Sequence, residues 1–230
     1  MKVVSALSPR TLLGLLATVV GTIAFALQAD AADEGDGLAA FDPQLTADVV
    51  AHRTAGMSKL AHALTFIGNV SVLTILTVVV AVLLRILTHR WRPAVILVIG
   101  MAGAATLTYT LKVLISRHRP DASIVLGAVN HGFSFPSGHS LSSAVFFLLL
   151  AGLLWYTDVS RAVKLAGTAA AIVLTIGIGL SRVYLGYHWA TDVLAGWTIA
   201  LTWLCLIATT VHMLRTRRDR RSVSTPSGRP

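Results

Sequence analysis

Charge is scarce in this chain: Asp, Glu, Lys and Arg make up only 13% of its 230 residues, and just 10 of them are acids. A water-soluble domain of this length needs a polar surface that so few charges hardly supply, which argues against an ordinary cytosolic enzyme. Cysteine is nearly absent as well. Cys205 stands alone, which excludes an internal disulfide and leaves no thiolate set for a metal. Apolar side chains are plentiful instead, at 55% of the chain, with a mean hydropathy of +0.74. The remaining charge is one-sided, with 19 Lys and Arg and a formal net charge of +9. In a soluble protein this would raise nucleic-acid binding. In a membrane protein the location of the bases matters more than their sum.

A span needs about 20 apolar residues to cross a hydrocarbon core of about 30 Å. Six runs qualify: 11–29, 64–87, 94–115, 139–156, 165–181 and 191–214. Arg85, near the end of the second, can snorkel to the headgroups. Six spans put both termini on one side. With that side cytoplasmic, its segments hold 13 of the 19 bases, including Arg85, and 2 of the 10 acids, leaving 6 bases and 8 acids outside. The positive-inside rule therefore predicts an all-α, six-helix membrane bundle with both termini cytoplasmic. Residues 1–214 form one membrane domain and 215–230 a basic tail, in which residues 215–221 anchor the topology and attract anionic lipid. Composition predicts disorder for residues 222–230. No tandem repeat or second domain is visible.

Two features of the N-terminal part stand apart. Lys2 and Arg10, an apolar stretch and Ala29-Asp30-Ala31 also match a cleavable secretory signal; cleavage would leave five spans and the same topology. In the outer segment 30–62, Leu45, Val49, Met57 and Leu60 fall loosely at helical spacing, which suggests an amphipathic helix on the membrane surface.

Ionisable groups at span ends are costly unless paired or wetted, so their clustering is informative. Three clusters fall at outer ends: Lys112 with Arg119-Pro120, then Pro136-Ser137-Gly138-His139, then Ser181-Arg182 with His188 and Asp192. The topology places all three on one face. Lys112, Arg119 and Arg182 supply three cations for a tetrahedral oxyanion, since guanidinium forks match phosphate oxygens. Ser137, Gly138 and the free N–H groups of the fourth helix add donors without charge. His188 and Asp192, four residues apart, share one helix face. The carboxylate can hold the Nδ1–H tautomer and leave Nε2 bare for attack on phosphorus. His139 is then the candidate general acid for the leaving oxygen.

Together the clusters resemble the signature of the type 2 phosphatidic acid phosphatase superfamily, the lipid phosphate phosphatases. The resemblance runs from Lys112 to Asp192, without departure at any motif position, and the span pattern extends it over most of the chain. It implies phosphate binding by Lys112, Arg119, Ser137, Gly138 and Arg182. It also implies His188 as nucleophile, Asp192 as its partner and His139 as general acid. The family works without a metal ion or other cofactor, in keeping with the lack of a carboxylate cluster suited to Mg²⁺.

The function expected is hydrolysis of a membrane lipid phosphate through a phosphohistidine. The partners are the lipid substrate and the bilayer, not nucleic acid, with the site on the outer side of the cytoplasmic membrane. Undecaprenyl diphosphate, phosphatidic acid and phosphatidylglycerol phosphate are candidate substrates. Phosphoryl transfer to a lipid acceptor and non-catalytic lipid binding or transport remain open. Vanadate-dependent haloperoxidases share the pocket residue types but are soluble. Ser116, Arg117, His118, Asp121 and His131 flank the motifs as lesser candidates. Phe133, Phe135, Tyr184, Tyr187 and Trp189 shape the entrance or anchor at the interface. His52, His62, His89 and His212 are read as structural, Gly177 and Gly179 as close-packing positions, and Cys205 as an apolar packer.

Overall fold

A computed structural model describes residues 8–223, and side chains up to Arg218. Among the described residues the chain is all helical, with eight α-helices and two short 3-10 turns. They are α1 (Pro9–Glu34), α2 (Asp42–Ala51), α3 (Ala55–Ile67), α4 (Val70–Thr88), α5 (Trp91–Ile115), α6 (Gly138–Leu154), α7 (Arg161–Tyr184) and α8 (Ala190–Val223). Five are long and apolar enough to cross a membrane: α1, α4, α5, α7 and the stretch Ala190–Arg218 of α8. The sixth apolar helix, α6, has 17 residues.

Burial is inverted relative to a soluble protein. Large apolar residues face outward along α1 (Leu12, Val19, Ile23), α4 (Ile75, Val82, Ile86) and α7 (Val173, Ile176, Leu180). This outer surface suits hydrocarbon as solvent, and helices satisfy their backbone groups internally there. The interior centres on α6, which packs against α4, α5, α7 and α8. Its Leu141, Ala144 and Val145 are almost fully buried with Ala104 and Ala200, and Phe146 and Leu149 pack with Leu73 and Leu97.

The helix starts are capped by their own sequence. Ser8 accepts from the Thr11 N–H with Pro9 in the first turn, Thr54 from Met57, and Ser160 from Val163; each satisfies a donor the helix cannot. α1 runs antiparallel along α8. Gly14 and Gly21, one stripe apart, face Thr209 and Thr202 so closely that a Cβ at either glycine would meet the threonine hydroxyl. Polar ties reinforce the seam: Ser8 Oγ lies 3.1 Å from His212 Nε2, and Gln28 donates to Thr198 Oγ1 at 3.0 Å. At its far end Phe25 packs on Phe135, with ring centroids 5.7 Å apart.

The expected second span begins too early at Leu64. The helix breaks at Gly68-Asn69, where Asn69 Oδ1 accepts from the Ser71 N–H and starts α4 at Val70. Hydropathy misses this because both sides of the break are apolar. Residues 64–67 instead complete α3, which lies against α7, with Leu64 seated on Gly177. Gly179 likewise lets Trp197 approach. Most of segment 30–62, expected on the outer side as one amphipathic helix, is divided between two helices, α2 and α3, which expose Leu45, Met57 and Leu60. The basic stretch 215–221 continues α8, which ends at Val223. Residues 224–230, most of the segment expected to be disordered, lie outside the described residues.

Candidate active site

Four helix ends and two loops build the site. α5 ends at Ser116, whose φ of 53° turns the chain out of the helix, and the loop that follows carries Arg119. α6 begins at Ser137, whose hydroxyl accepts from Ser140 Oγ at 2.9 Å. α7 brings Arg182 in its last turn, and α8 brings Asp192 in its first. α8 crosses α6 at Gly196, where a Cβ would lie 2.8 Å from the Ser137 carbonyl oxygen. That approach lets the Ser137 N–H donate to the Asp192 carbonyl at 2.9 Å. A glycine is required there because the obstacle is backbone, which cannot swing aside.

The histidine–carboxylate pair expected from the spacing is formed. His188 Nδ1 lies 3.2 Å from Asp192 Oδ2, and the two side chains are 3% and 0% exposed. The same oxygen accepts from the Trp189 N–H at 3.0 Å. Asp192 Oδ1 accepts from Arg117 at 2.8 Å and from the Ser134 hydroxyl at 3.4 Å. With Nδ1 occupied by the carboxylate, Nε2 faces Arg119, whose NH1 is 3.3 Å away. Burial holds the His188 imidazole well below its ordinary pKa, and Arg119, Arg182 and Lys112 push it further down. It is therefore neutral at physiological pH.

The three cations gather around this pair. Lys112 Nζ donates to the carbonyls of Phe133 at 2.5 Å and Ser134 at 2.9 Å. Arg119 donates to Gly132 and Tyr187 carbonyls at 2.6 Å each, and to Phe133 at 3.1 Å. Arg182 donates to Thr65 Oγ1 at 2.5 Å, and its guanidinium carbon sits 3.9 Å from the Tyr187 ring centroid. Its buried Nε has no hydrogen-bond partner among the described residues. Beside them opens a cleft of about 570 Å³, lined by His139, Arg182, Tyr187, residues 128–131, and His62, Thr65, Phe66 and Asn69. His139 thus shares a wall with Arg182. Gly138 sits against Thr108, whose Cγ2 would lie 3.0 Å from an added Cβ.

Some assignments change. His62, read as structural, lines the cleft, as does His131. His118 side chain is exposed, while its carbonyl accepts from Trp189 Nε1 and the Ser134 hydroxyl. Asp121 caps a 3-10 turn by accepting from the Ser123 N–H, and the Ser123 hydroxyl and then this N–H pull its pKa down. Tyr184 binds Thr54 rather than the cleft, donating to its carbonyl and accepting from its N–H. Arg53 holds α3's start to the site by donating to the carbonyls of Tyr184 and Ile124. Two residues that the motifs did not single out are central to the buried network. Arg117, a lesser candidate, bridges Asp192 to Asp42 at 2.8 and 3.0 Å. Asp42 also accepts from the Thr191 N–H at 3.1 Å and from its hydroxyl. The only sequence trace of Asp42 is Asp-Pro at a helix start, which announces a cap and no partner.

Residues 66–216 match the family model described as PAP2 superfamily, and the chain belongs to that superfamily. It is 29% identical over 168 residues to phosphatidylglycerophosphatase B of Bacillus subtilis, covering 72% of this chain and 81% of the relative. It is 28% identical over 139 residues to an undecaprenyl-diphosphatase of Sulfolobus acidocaldarius, covering 58% and 62%. Among solved structures, a transmembrane PAP2-type phosphatidylglycerolphosphate phosphatase from Bacillus subtilis superimposes with a TM-score of 0.77 at 26% identity, over 85% of this chain and 96% of that one. LpxE of Aquifex aeolicus shares the fold, with a TM-score of 0.57 at 21% identity. The chain is accordingly a membrane-embedded phosphoric ester hydrolase.

Proposed function

We propose that this protein removes the terminal phosphate from a membrane lipid, a phosphomonoester or diphosphate, through a phosphohistidine on His188 and without a metal ion. The observation that carries the reading is the buried His188–Asp192 pair with its free nitrogen directed at a cluster of three cations. Lys112, Arg119 and Arg182 hold the phosphate oxygens; Lys112 and Arg119 exchange bonds now made to loop carbonyls, and the unpartnered Arg182 Nε is one ready donor. Ser137 and the first N–H groups of α6 add to them. This donor set suits an anion and offers a divalent cation nothing to bind.

His188 Nε2 attacks phosphorus while the bond to the leaving oxygen breaks, and His139 delivers the proton that oxygen needs. Asp192 stabilises the imidazolium character that develops, as an acceptor on Nδ1–H. Water then cleaves the phosphohistidine, with His139 taking a proton from it, and inorganic phosphate leaves. The cleft beside His139 receives the leaving group. Phe66, exposed on α3 and lining the cleft, offers an apolar contact at the cleft mouth, which favours an amphiphilic substrate over a soluble one.

In the membrane, the five long helices and α6 make six crossings, with both termini cytoplasmic and the site at the outer face of the cytoplasmic membrane. The charge bias supports that orientation. α6 is about 25 Å long at 1.5 Å per residue, short of a hydrocarbon core of about 30 Å. Its Ser137 end thus lies below the outer headgroups, where a lipid phosphate can reach it from the side. α2 and α3 lie at that surface, and α1 is retained as part of the bundle. Phosphatidylglycerol phosphate, undecaprenyl diphosphate and phosphatidic acid are the substrates to compare first.

The test is phosphate release by the purified protein in detergent with excess EDTA, offered each of the three lipids, beside the His188→Ala variant. Chelator-resistant release that disappears in the variant is expected. Release that survives loss of His188, or that EDTA abolishes, overturns the mechanism.

A further inference from the structure

Asp42 lies outside the family-matched segment, which begins at residue 66, yet it is one of the most buried carboxylates, at 2% exposure. It opens α2, and α2 packs against α7 and α8. Its Oδ2 takes one Arg117 nitrogen at 3.0 Å, while the other Arg117 nitrogen reaches Asp192 Oδ1 at 2.8 Å and Thr191 Oγ1 at 2.9 Å. The guanidinium is thus fixed at both ends by carboxylates. Asp42 also receives the Thr191 N–H, one residue before Asp192 in the first turn of α8. A free Arg117 would turn both donors onto Asp192 and draw its charge away from His188. Shared with Asp42, it binds one oxygen of Asp192 and leaves the other to the imidazole.

We propose that Asp42 is a positioning residue for the phosphatase reaction: through Arg117 it sets the orientation and effective charge of Asp192, and so of His188. The proposal rests on the reading of His188 as nucleophile. It makes the helix ahead of the family-matched segment a working part of the site.

The prediction separates this role from simple support of the fold. His188 is faced by Asp192 on α8, Arg119 in the loop after α5, Lys112 on α5, Arg182 on α7 and His139 on α6, with Arg117 behind the carboxylate. Replacing Asp42 by Asn removes a negative charge behind Arg117 and leaves the cations of the cleft untouched. Arg117 then weighs more heavily on Asp192, the imidazolium becomes harder to form, and the acid limb of kcat/KM moves to lower pH. KM stays within about twofold and kcat falls about tenfold, the size of one charge-assisted hydrogen bond.

The experiment measures kcat, KM and the pH profile of the full chain in detergent, with a short-chain phosphatidic acid, for wild type, Asp42→Asn, Arg117→Met, the double variant and His188→Ala. If Asp42 acts through Arg117, its substitution costs nothing further in the Arg117→Met background. An equal loss in both backgrounds, or an unmoved acid limb in folded Asp42→Asn, overturns the proposal. Should Asp42→Asn alone fail to fold, the double variant, which removes opposite charges together, is compared with Arg117→Met; equal kcat supports the coupling and a further fall overturns it. Full activity in His188→Ala would instead overturn the nucleophile, a result distinct from any behaviour of Asp42.

Discussion

Replacing Asp192 by Asn tests the centre of the mechanism with a change of one atom. The carboxylate meets four groups: the Trp189 N–H at 3.0 Å and His188 Nδ1 at 3.2 Å on one oxygen, Arg117 at 2.8 Å and the Ser134 hydroxyl at 3.4 Å on the other. An amide has a single acceptor oxygen. Turned toward Arg117, Asn presents its NH₂ to His188 and to the Trp189 N–H, which forces the imidazole into the tautomer with Nδ1 bare and Nε2 protonated. Turned the other way, its NH₂ faces the Arg117 guanidinium. At least two bonds to a charged acceptor are lost, each worth about 1.5–3 kcal/mol. If that loss falls on the transition state, kcat drops by about 10²–10⁴. KM changes little because Asp192 touches no cation of the cleft directly. The assay is steady-state phosphate release at saturating lipid, with circular dichroism and a thermal midpoint to confirm folding. A folded Asp192→Asn enzyme within tenfold of wild-type kcat would refute the assigned tautomer and the role of the pair.

Three further outcomes are expected. Because burial and three cations lower the His188 pKa, the neutral nucleophile persists below the ordinary histidine value of about 6.5; the His188-dependent acid limb of kcat/KM, measured against a substrate-titration control, lies under that value, and a limb above it contradicts the assignment. Gly196→Ala brings a Cβ to 2.8 Å from the Ser137 carbonyl oxygen, so it lowers both the thermal midpoint and kcat, while Gly152→Ala, with no atom near its Cβ position, leaves both unchanged. Intact-mass measurement of the protein from membranes retains α1, since its seam with α8 and the Phe25–Phe135 contact belong to the fold; a mass lacking about 30 N-terminal residues would show a cleaved signal.

The helical membrane class and the family's motifs are legible because each leaves a local trace. An apolar run of span length reports a span, and His188 and Asp192 four apart report a shared helix face. What escaped was either masked by composition or carried by distance. The break at Gly68-Asn69 sits between apolar stretches, so hydropathy runs α3 and α4 together, and His62, with no partner at ligand spacing in the sequence, gives no sign of the cleft it lines. Arg117 and Asp42 are 75 residues apart. No periodicity links them, and each by itself reads as a solvated charge at a membrane surface. Their pairing exists only because α2 folds back against the start of α8.

On the proposed mechanism, the same pairing also enters the charge of the site. Around the reacting position stand four cations, Lys112, Arg117, Arg119 and Arg182, and two carboxylates, Asp42 and Asp192. With His188 neutral the cluster carries a net charge of +2, and the two carboxylates lie on the Arg117 side, so the excess faces the cleft. A terminal phosphate brings a charge of about −1.5 to −2 near neutral pH and balances it. A phosphodiester brings about −1 and leaves one buried cation uncompensated, a costly state in a poorly solvated site. An enzyme immersed in phosphodiester lipids must ignore them, and charge balance supplies that discrimination before any contact with the headgroup. Bulk phosphatidylglycerol should therefore remain intact under conditions in which phosphatidylglycerol phosphate is consumed, as mass spectrometry of both lipids in one mixed micelle would measure.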